Sequence, residues 1–185
     1  MADSHAISWL PGHGSKLKGW DPGTLSPAGW SEADLVRQVT AAAWLACERA
    51  HIPSKVVSAG DYSQRGKDAE SGSGSALIVQ LHTDAVEADV GPDESRVFWY
   101  PGGAERAALD IAAELRKVVP WRVRTICADL SWKNARACLA SVGPASVLVE
   151  LGFADGAAGR VKLPELVEPL GAALAAGAQV WRARG

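Results

Sequence analysis

The sequence predicts an α/β fold: a single domain over residues 1–185, built on a mixed, mostly parallel β-sheet with helices on both faces. Three observations carry this expectation. Apolar runs at 7–10, 76–81 and 146–149 are too short for helices and read as buried strands. Between them, 31–46, 104–118 and 165–182 place apolar residues at helical spacing. Alternation of this kind feeds a largely parallel sheet, and 185 residues are enough for one real core.

Composition narrows the function. Nineteen basic and 21 acidic residues give a formal net charge of -2, which argues against nucleic acid or an anionic membrane as a partner. No apolar run approaches the ~20 residues of a transmembrane helix. The N-terminus lacks the basic start and apolar core of a signal peptide, so synthesis in the cytoplasm without an export address is expected. Cys47, Cys127 and Cys138 are odd in number and form no CxxC pair, and they read as buried or free thiols. Eight tryptophans against two tyrosines and two phenylalanines is a skewed set. Some belong to the core, and a minority are expected on a groove where flat faces can pack on sugar rings.

In chain order, Ile7-Ser8-Trp9-Leu10 is a buried strand stopped by Pro11-Gly12, with His13 set between two glycines. Residues 15–30, rich in Gly, Pro and Trp, read as a surface loop with little regular structure. Ser31 is a natural N-cap with Asp34 three residues on, and Leu35, Val36, Val39, Ala43 and Ala46 trace one face of the helix that follows. Glu32 lies three, four and seven residues before Leu35, Val36 and Val39, so its carboxylate projects from the inward side at the helix start.

A short strand is expected at 55–59 and a polar Gly/Ser-rich loop at 60–75. The central strand 76–81 then ends in His82-Thr83-Asp84. Further strands are expected at 96–100 and around 123–128, with helices at 104–118 and 134–140. A last central strand at 146–149 runs into Glu150, and a final helix occupies 165–182, where Pro169 marks an irregular or later start. His13, His82 and Glu150 thus stand where strands end, the place where α/β sheets collect ligands.

A hydrolytic zinc site takes three nitrogen or oxygen ligands and keeps a fourth position for water. His13, Glu32 and His82 supply two imidazoles and a carboxylate, enough for one Zn2+ ion. Glu150, following four apolar residues, is the desolvated carboxylate that would move the proton. Taken singly, each of the four also has an ordinary structural explanation: a satisfied histidine, a first-turn acid favoured by the helix dipole, a paired buried carboxylate. Their common edge is what weighs against that.

Pro-Gly-His-Gly at 11–14, the helix-opening Glu32, Leu-His-Thr-Asp at 81–84 and Leu-Val-Glu-Leu-Gly-Phe at 148–153 together resemble the zinc-dependent N-acetylmuramoyl-L-alanine amidases of the amidase 3 family. The resemblance spans nearly the whole chain. It implies cleavage of the amide between N-acetylmuramic acid and the L-alanine of the stem peptide in peptidoglycan. It also implies His13, Glu32 and His82 as zinc ligands and Glu150 as the catalytic carboxylate. Arg65 falls where the family usually carries an arginine ahead of the second histidine strand, a substrate-binding candidate. Two departures are visible. Leu10 replaces the usual aspartate before Pro-Gly. Asp84 stands where asparagine is common, and an ionised carboxylate there accepts a substrate hydrogen bond but cannot donate one.

A bare catalytic domain without the long helical insertion of some cell-division members implies an open site, and a monomer is expected. The preferred setting is a phage-type endolysin acting on the wall after release; the competing one is a catalytic fragment of a secreted autolysin. Two other functions stay open at this point: a zinc carboxypeptidase or other amidohydrolase cutting a different amide, and a non-catalytic wall-binding module.

Overall fold

A computed structural model describes residues 6–16, 19–57, 77–85, 93–101, 104–141, 145–156 and 159–184. The strands are β1 (Ile7–Pro11), β2 (Gly14–Lys16), β3 (Gly19–Asp21), β4 (Ser54–Val56), β5 (Leu77–Asp84), β6 (Glu94–Trp99), β7 (Arg122–Cys127) and β8 (Ser146–Phe153). The helices are α1 (Glu32–Arg49), α2 (Glu105–Leu115), α3 (Lys133–Ala140), α4 (Gly159–Glu165) and α5 (Val167–Arg182).

Among the described residues six strands form one sheet in the order β4-β1-β5-β8-β6-β7. All neighbours run parallel except β6 and β8, which are antiparallel. The expected mixed, mostly parallel α/β sheet is therefore present. Its central strands are apolar almost throughout because both faces are covered. The two coverings are unequal. On one face Ile7, Trp9, Val79, Leu81, Val147 and Val149 pack with α1, α2 and α5, with α5 wedged between the other two helices. On the other face, among the described residues, Phe98 and Leu148 pack with Leu139 and Ala135 of the short α3 and with Ala128 and Trp132 beside it. Side chains alternate faces along a strand, so the lightly covered face is where polar residues find room.

Direction then fixes the site. β1, β5 and β8 point the same way, so their carboxyl ends share one edge, and the antiparallel β6 begins there. α1 opens at this edge, capped by the Ser31 side chain, which accepts a hydrogen bond from the Asp34 N–H.

Two expectations need correction, and a third is borne out. Residues 15–30 are not irregular throughout: β2 and β3 pair as an antiparallel hairpin, with Gly14 opposite Asp21. Strands of three residues are too short to declare a period, and the positive φ of Gly14 and Gly19 lets the chain double back. The final helix expected at 165–182 is present as α5, with the later start that Pro169 marked, and the separate α4 precedes it. Pro169 has no N–H to donate to the Glu165 carbonyl, the bond a continuous helix requires, so α5 starts anew at Val167 with Pro169 in its first turn. β5 and β8 run on through Asp84 and Phe153, which puts His82 and Glu150 inside strands rather than at their ends. The Gly/Ser-rich 60–75 stretch and Arg65 lie outside the described residues.

Candidate metal centre

His13, Glu32 and His82 meet at the carboxyl edge of the sheet. One potential ligand atom from each lies within 4.8 Å of the others. Glu32 is 1% exposed and His82 is 7% exposed, so the donors are largely withdrawn from water. Nε2 of His13 stands 3.4 Å from Glu32 Oε1, and Nδ1 of His82 stands 3.2 Å from the same oxygen. With zinc–ligand bonds of about 2.0–2.1 Å, ligand atoms of a tetrahedral site stand roughly 3.3–3.4 Å apart. The two histidine-to-glutamate spacings match that value, and two imidazoles with one carboxylate drawn this close could hold a metal ion.

Each donor is held by its surroundings. His13 sits in the left-handed region at φ 43, an uncommon backbone for a non-glycine residue and one that recurs at functional sites. Its Nδ1 pairs with Asp21 Oδ2 at 2.7 Å, which leaves Nε2 to face Glu32. Asp21 is itself held by the Gly23 N–H at 3.1 Å. A carboxylate behind a histidine ligand sets ring orientation and makes the facing nitrogen more basic. Glu32 accepts hydrogen bonds from the Thr24 N–H on Oε2 and the Thr83 N–H on Oε1, both at 3.0 Å.

Two glycines are required by close approach. A Cβ at Gly12 would lie 2.5 Å from the His82 ring, and one at Gly23 would lie 2.6 Å from Glu32 Oε2. Burial pushes the Glu32 carboxyl up, but the hydrogen bond and charge of His82, then the Thr24 N–H and His13, outweigh it and hold it below its ordinary value. The ionised form is the one that binds a metal.

Glu150 lies beside this cluster. It is the register partner of His82 across β5 and β8, and both line a cavity of about 320 Å³ with His13, Glu32, Thr83 and Asp84. Its Oε2 is shut off from solvent and finds no hydrogen-bond partner among the described residues. Burial first, then the Asp84 and Glu32 carboxylates, push the Glu150 carboxyl well above the ordinary range, with Arg96 opposing them. A half-buried carboxyl with one shut-off, unpaired oxygen is costly for stability alone, and it suits a group that must both take and give a proton.

The structure brings four of the six sequence candidates, His13, Glu32, His82 and Glu150, to one place. Asp84 lines the same cavity, past a register shift where β8 carries one extra residue against β5, and its carboxylate pairs with Arg96 at 2.8 Å. Burial raises the Asp84 carboxyl, and the Ala85 N–H and Arg96 pull against that. Sequence reasoning missed Asp21, Thr24, Gly23 and Arg96. Asp21-Pro22-Gly23 is a turn signal in which an aspartate bonds the backbone two residues on, and it could have drawn attention to Asp21. Nothing in the linear pattern marks Arg96.

No protein-family model matches the chain, and no curated protein matches it in sequence. Solved structures do. The N-acetylmuramoyl-L-alanine amidase AmiC2 of Nostoc punctiforme superposes with a TM-score of 0.79 at 18% identity, covering 98% of each chain. The CwlD amidase from Clostridioides difficile, solved in complex with the GerS lipoprotein, gives 0.78 at 19%, covering 98% of this chain and 100% of that one. The catalytic domain of the CD27L endolysin targeting Clostridia difficile gives 0.75 at 18%, covering 95% of this chain and 97% of that one. At such identities the likeness speaks to architecture: this chain has the fold of N-acetylmuramoyl-L-alanine amidases.

Proposed function

We propose that this protein is a zinc-dependent N-acetylmuramoyl-L-alanine amidase that hydrolyses the amide between the lactyl group of N-acetylmuramic acid and L-alanine in peptidoglycan. The observation that carries this is the convergence of His13, Glu32 and His82 beside Glu150 on the strand edge of an amidase fold. In this reading His13, Glu32 and His82 hold the zinc, and Asp21 keeps the His13 ring turned to it. A zinc ion held there would supply Lewis-acid chemistry, lowering the pKa of a water and polarising the scissile carbonyl.

Glu150 performs the proton transfer. Its carboxylate takes a proton from the attacking water and delivers it to the leaving nitrogen, so the products are a lactyl carboxylate and a free L-alanine amine. A carboxyl raised above the ordinary range keeps its proton long enough to hand it on. Asp84 accepts a hydrogen bond from the substrate at the groove wall, and Arg65 is carried as a further substrate contact on family resemblance alone.

The test is incubation of purified peptidoglycan with the protein, with zinc supplied or chelated, followed by identification of the new ends. Zinc-dependent appearance of lactyl carboxyls and L-alanine amines supports the amidase. Release of a terminal stem-peptide residue would instead make it a carboxypeptidase, and absence of turnover with zinc bound would make it a binding module. Likeness to an endolysin catalytic domain supports a role in lysing the wall, tested by adding the protein to whole and to permeabilised bacteria. Among the described residues no helix is long and apolar enough to cross a membrane.

A further inference from the structure

A second cavity of about 460 Å³ adjoins the metal-side cavity and shares Asp84, Asn134, Ala135 and Glu150 with it. Arg96 is central to its wall. On the antiparallel β6, Arg96 is the register partner of Glu150, as His82 is on the other side, so His82, Glu150 and Arg96 form one row across three strands. Paired residues in an antiparallel ladder stand about 5 Å apart. The guanidinium is thus within one residue's reach of whatever Glu150 protonates.

Arg96 is held as a binding group would be. Its Nη1 donates to Asp84 at 2.8 Å and its Nε to Glu94 at 2.5 Å. Its plane lies over the Phe153 and Trp132 rings at 4.8 and 5.4 Å. Nη2 makes no hydrogen bond among the described residues, while the side chain keeps 18% of its surface open. A fork locked by two carboxylates and two aromatic faces, with donors to spare, is pre-organised for a planar oxygen acceptor. Lys133 on the wall adds a second cation, and Arg124 lies 3.5 Å from Glu94, so Arg96 does not carry the Glu94 charge alone.

We propose that Arg96, aided by Lys133, binds a free carboxylate on the residue that follows L-alanine in the stem peptide, and that the protein thereby selects acidic over amidated peptides. This rests on the amidase function proposed above and adds the substrate class. The leaving amine departs on the Glu150 side, so the peptide, rather than the sugar, occupies the Arg96 cavity.

The test uses two N-acetylmuramoyl-L-alanyl peptides that differ only in a free carboxylate or a carboxamide on the second residue. With zinc supplied, the unsubstituted protein is expected to favour the carboxylate about 10- to 100-fold in kcat/KM, mostly through KM, the range for a charge-assisted pair against a neutral one. Arg96→Gln abolishes the preference and Arg96→Lys keeps part of it. Equal turnover of both peptides by the unsubstituted protein, or a preference that survives in Arg96→Gln, overturns the proposal; the first of these needs no variant to fold. Calorimetric titration of the sugar-free L-alanyl peptides separates the two readings. Carboxylate-selective binding without turnover leaves the Arg96 site standing and removes the amidase; turnover without selectivity does the reverse.

Discussion

Glu150 and His82 face each other as register partners on adjacent parallel strands, one lacking a hydrogen-bond partner on its buried oxygen and the other bonded to Glu32. The sheet itself, rather than a loop, therefore sets the separation between the residue proposed to move protons and one proposed to hold metal. Rigid placement of this kind is what a water-activating site needs.

Removing the two partners should have different effects. Glu150→Ala is expected to bind zinc as the parent does yet lose roughly 10²- to 10⁴-fold in turnover, the usual scale for general acid–base catalysis. His82→Ala is expected to lose most of the zinc. Metal content by mass spectrometry alongside peptidoglycan turnover separates them; equal metal loss in both would mean the roles are interchanged.

Asp21 touches no proposed substrate, but its bond to His13 Nδ1 should be felt at the metal. Asp21→Ala is expected to weaken zinc about 10- to 100-fold, as loss of such an orienting carboxylate does elsewhere. Competition with a chromogenic chelator measures this. An unchanged affinity would show that the ring needs no support from the hairpin.

Gly23 adopts φ +66 and sits where a methyl group would meet Glu32 Oε2 at 2.6 Å and the His13 ring at 2.7 Å. Gly23→Ala should cost about 1–3 kcal/mol from the backbone conformation and should also displace two proposed ligands. Thermal unfolding with and without zinc tests both. A variant that keeps full stabilisation by zinc would contradict the tight packing around the ligands.

The Glu150 carboxyl is pushed upward in the fold, so the folded chain binds a proton more tightly there than the unfolded chain does. Its contribution to stability is fully present below the ordinary glutamate value and disappears as pH rises through the raised folded value. Metal-free protein should therefore lose stability as pH rises across that window, and Glu150→Gln should flatten the slope and be more stable at its upper end. Denaturant unfolding at a series of pH values, with zinc chelated throughout, reads the effect. The opposite slope difference would place the carboxylate in a stabilising ion pair instead.

The six strands of the main sheet, four of the five helices and four site residues, His13, Glu32, His82 and Glu150, were legible in the residues. Apolar runs such as 146–149 mark central strands because hydrophobic burial follows period and length, which are properties of the chain alone. Glu32 could be placed inward from its offsets to Leu35 and Val39 for the same reason, and His13 and His82 stood out by following such runs. The hairpin at 14–21 was not legible, since three-residue strands carry no period, and its loss concealed Asp21. Arg96 was concealed differently. Its importance comes from β6 running antiparallel beside β8, which brings it level with Glu150. Strand order and direction are decided by packing between segments far apart in sequence, and no local pattern encodes them. The chain alone thus determined which residue types could do the chemistry; the tertiary structure decided which of them share a cavity, because only the paired sheet converts separations of fifty or more residues into a few ångströms.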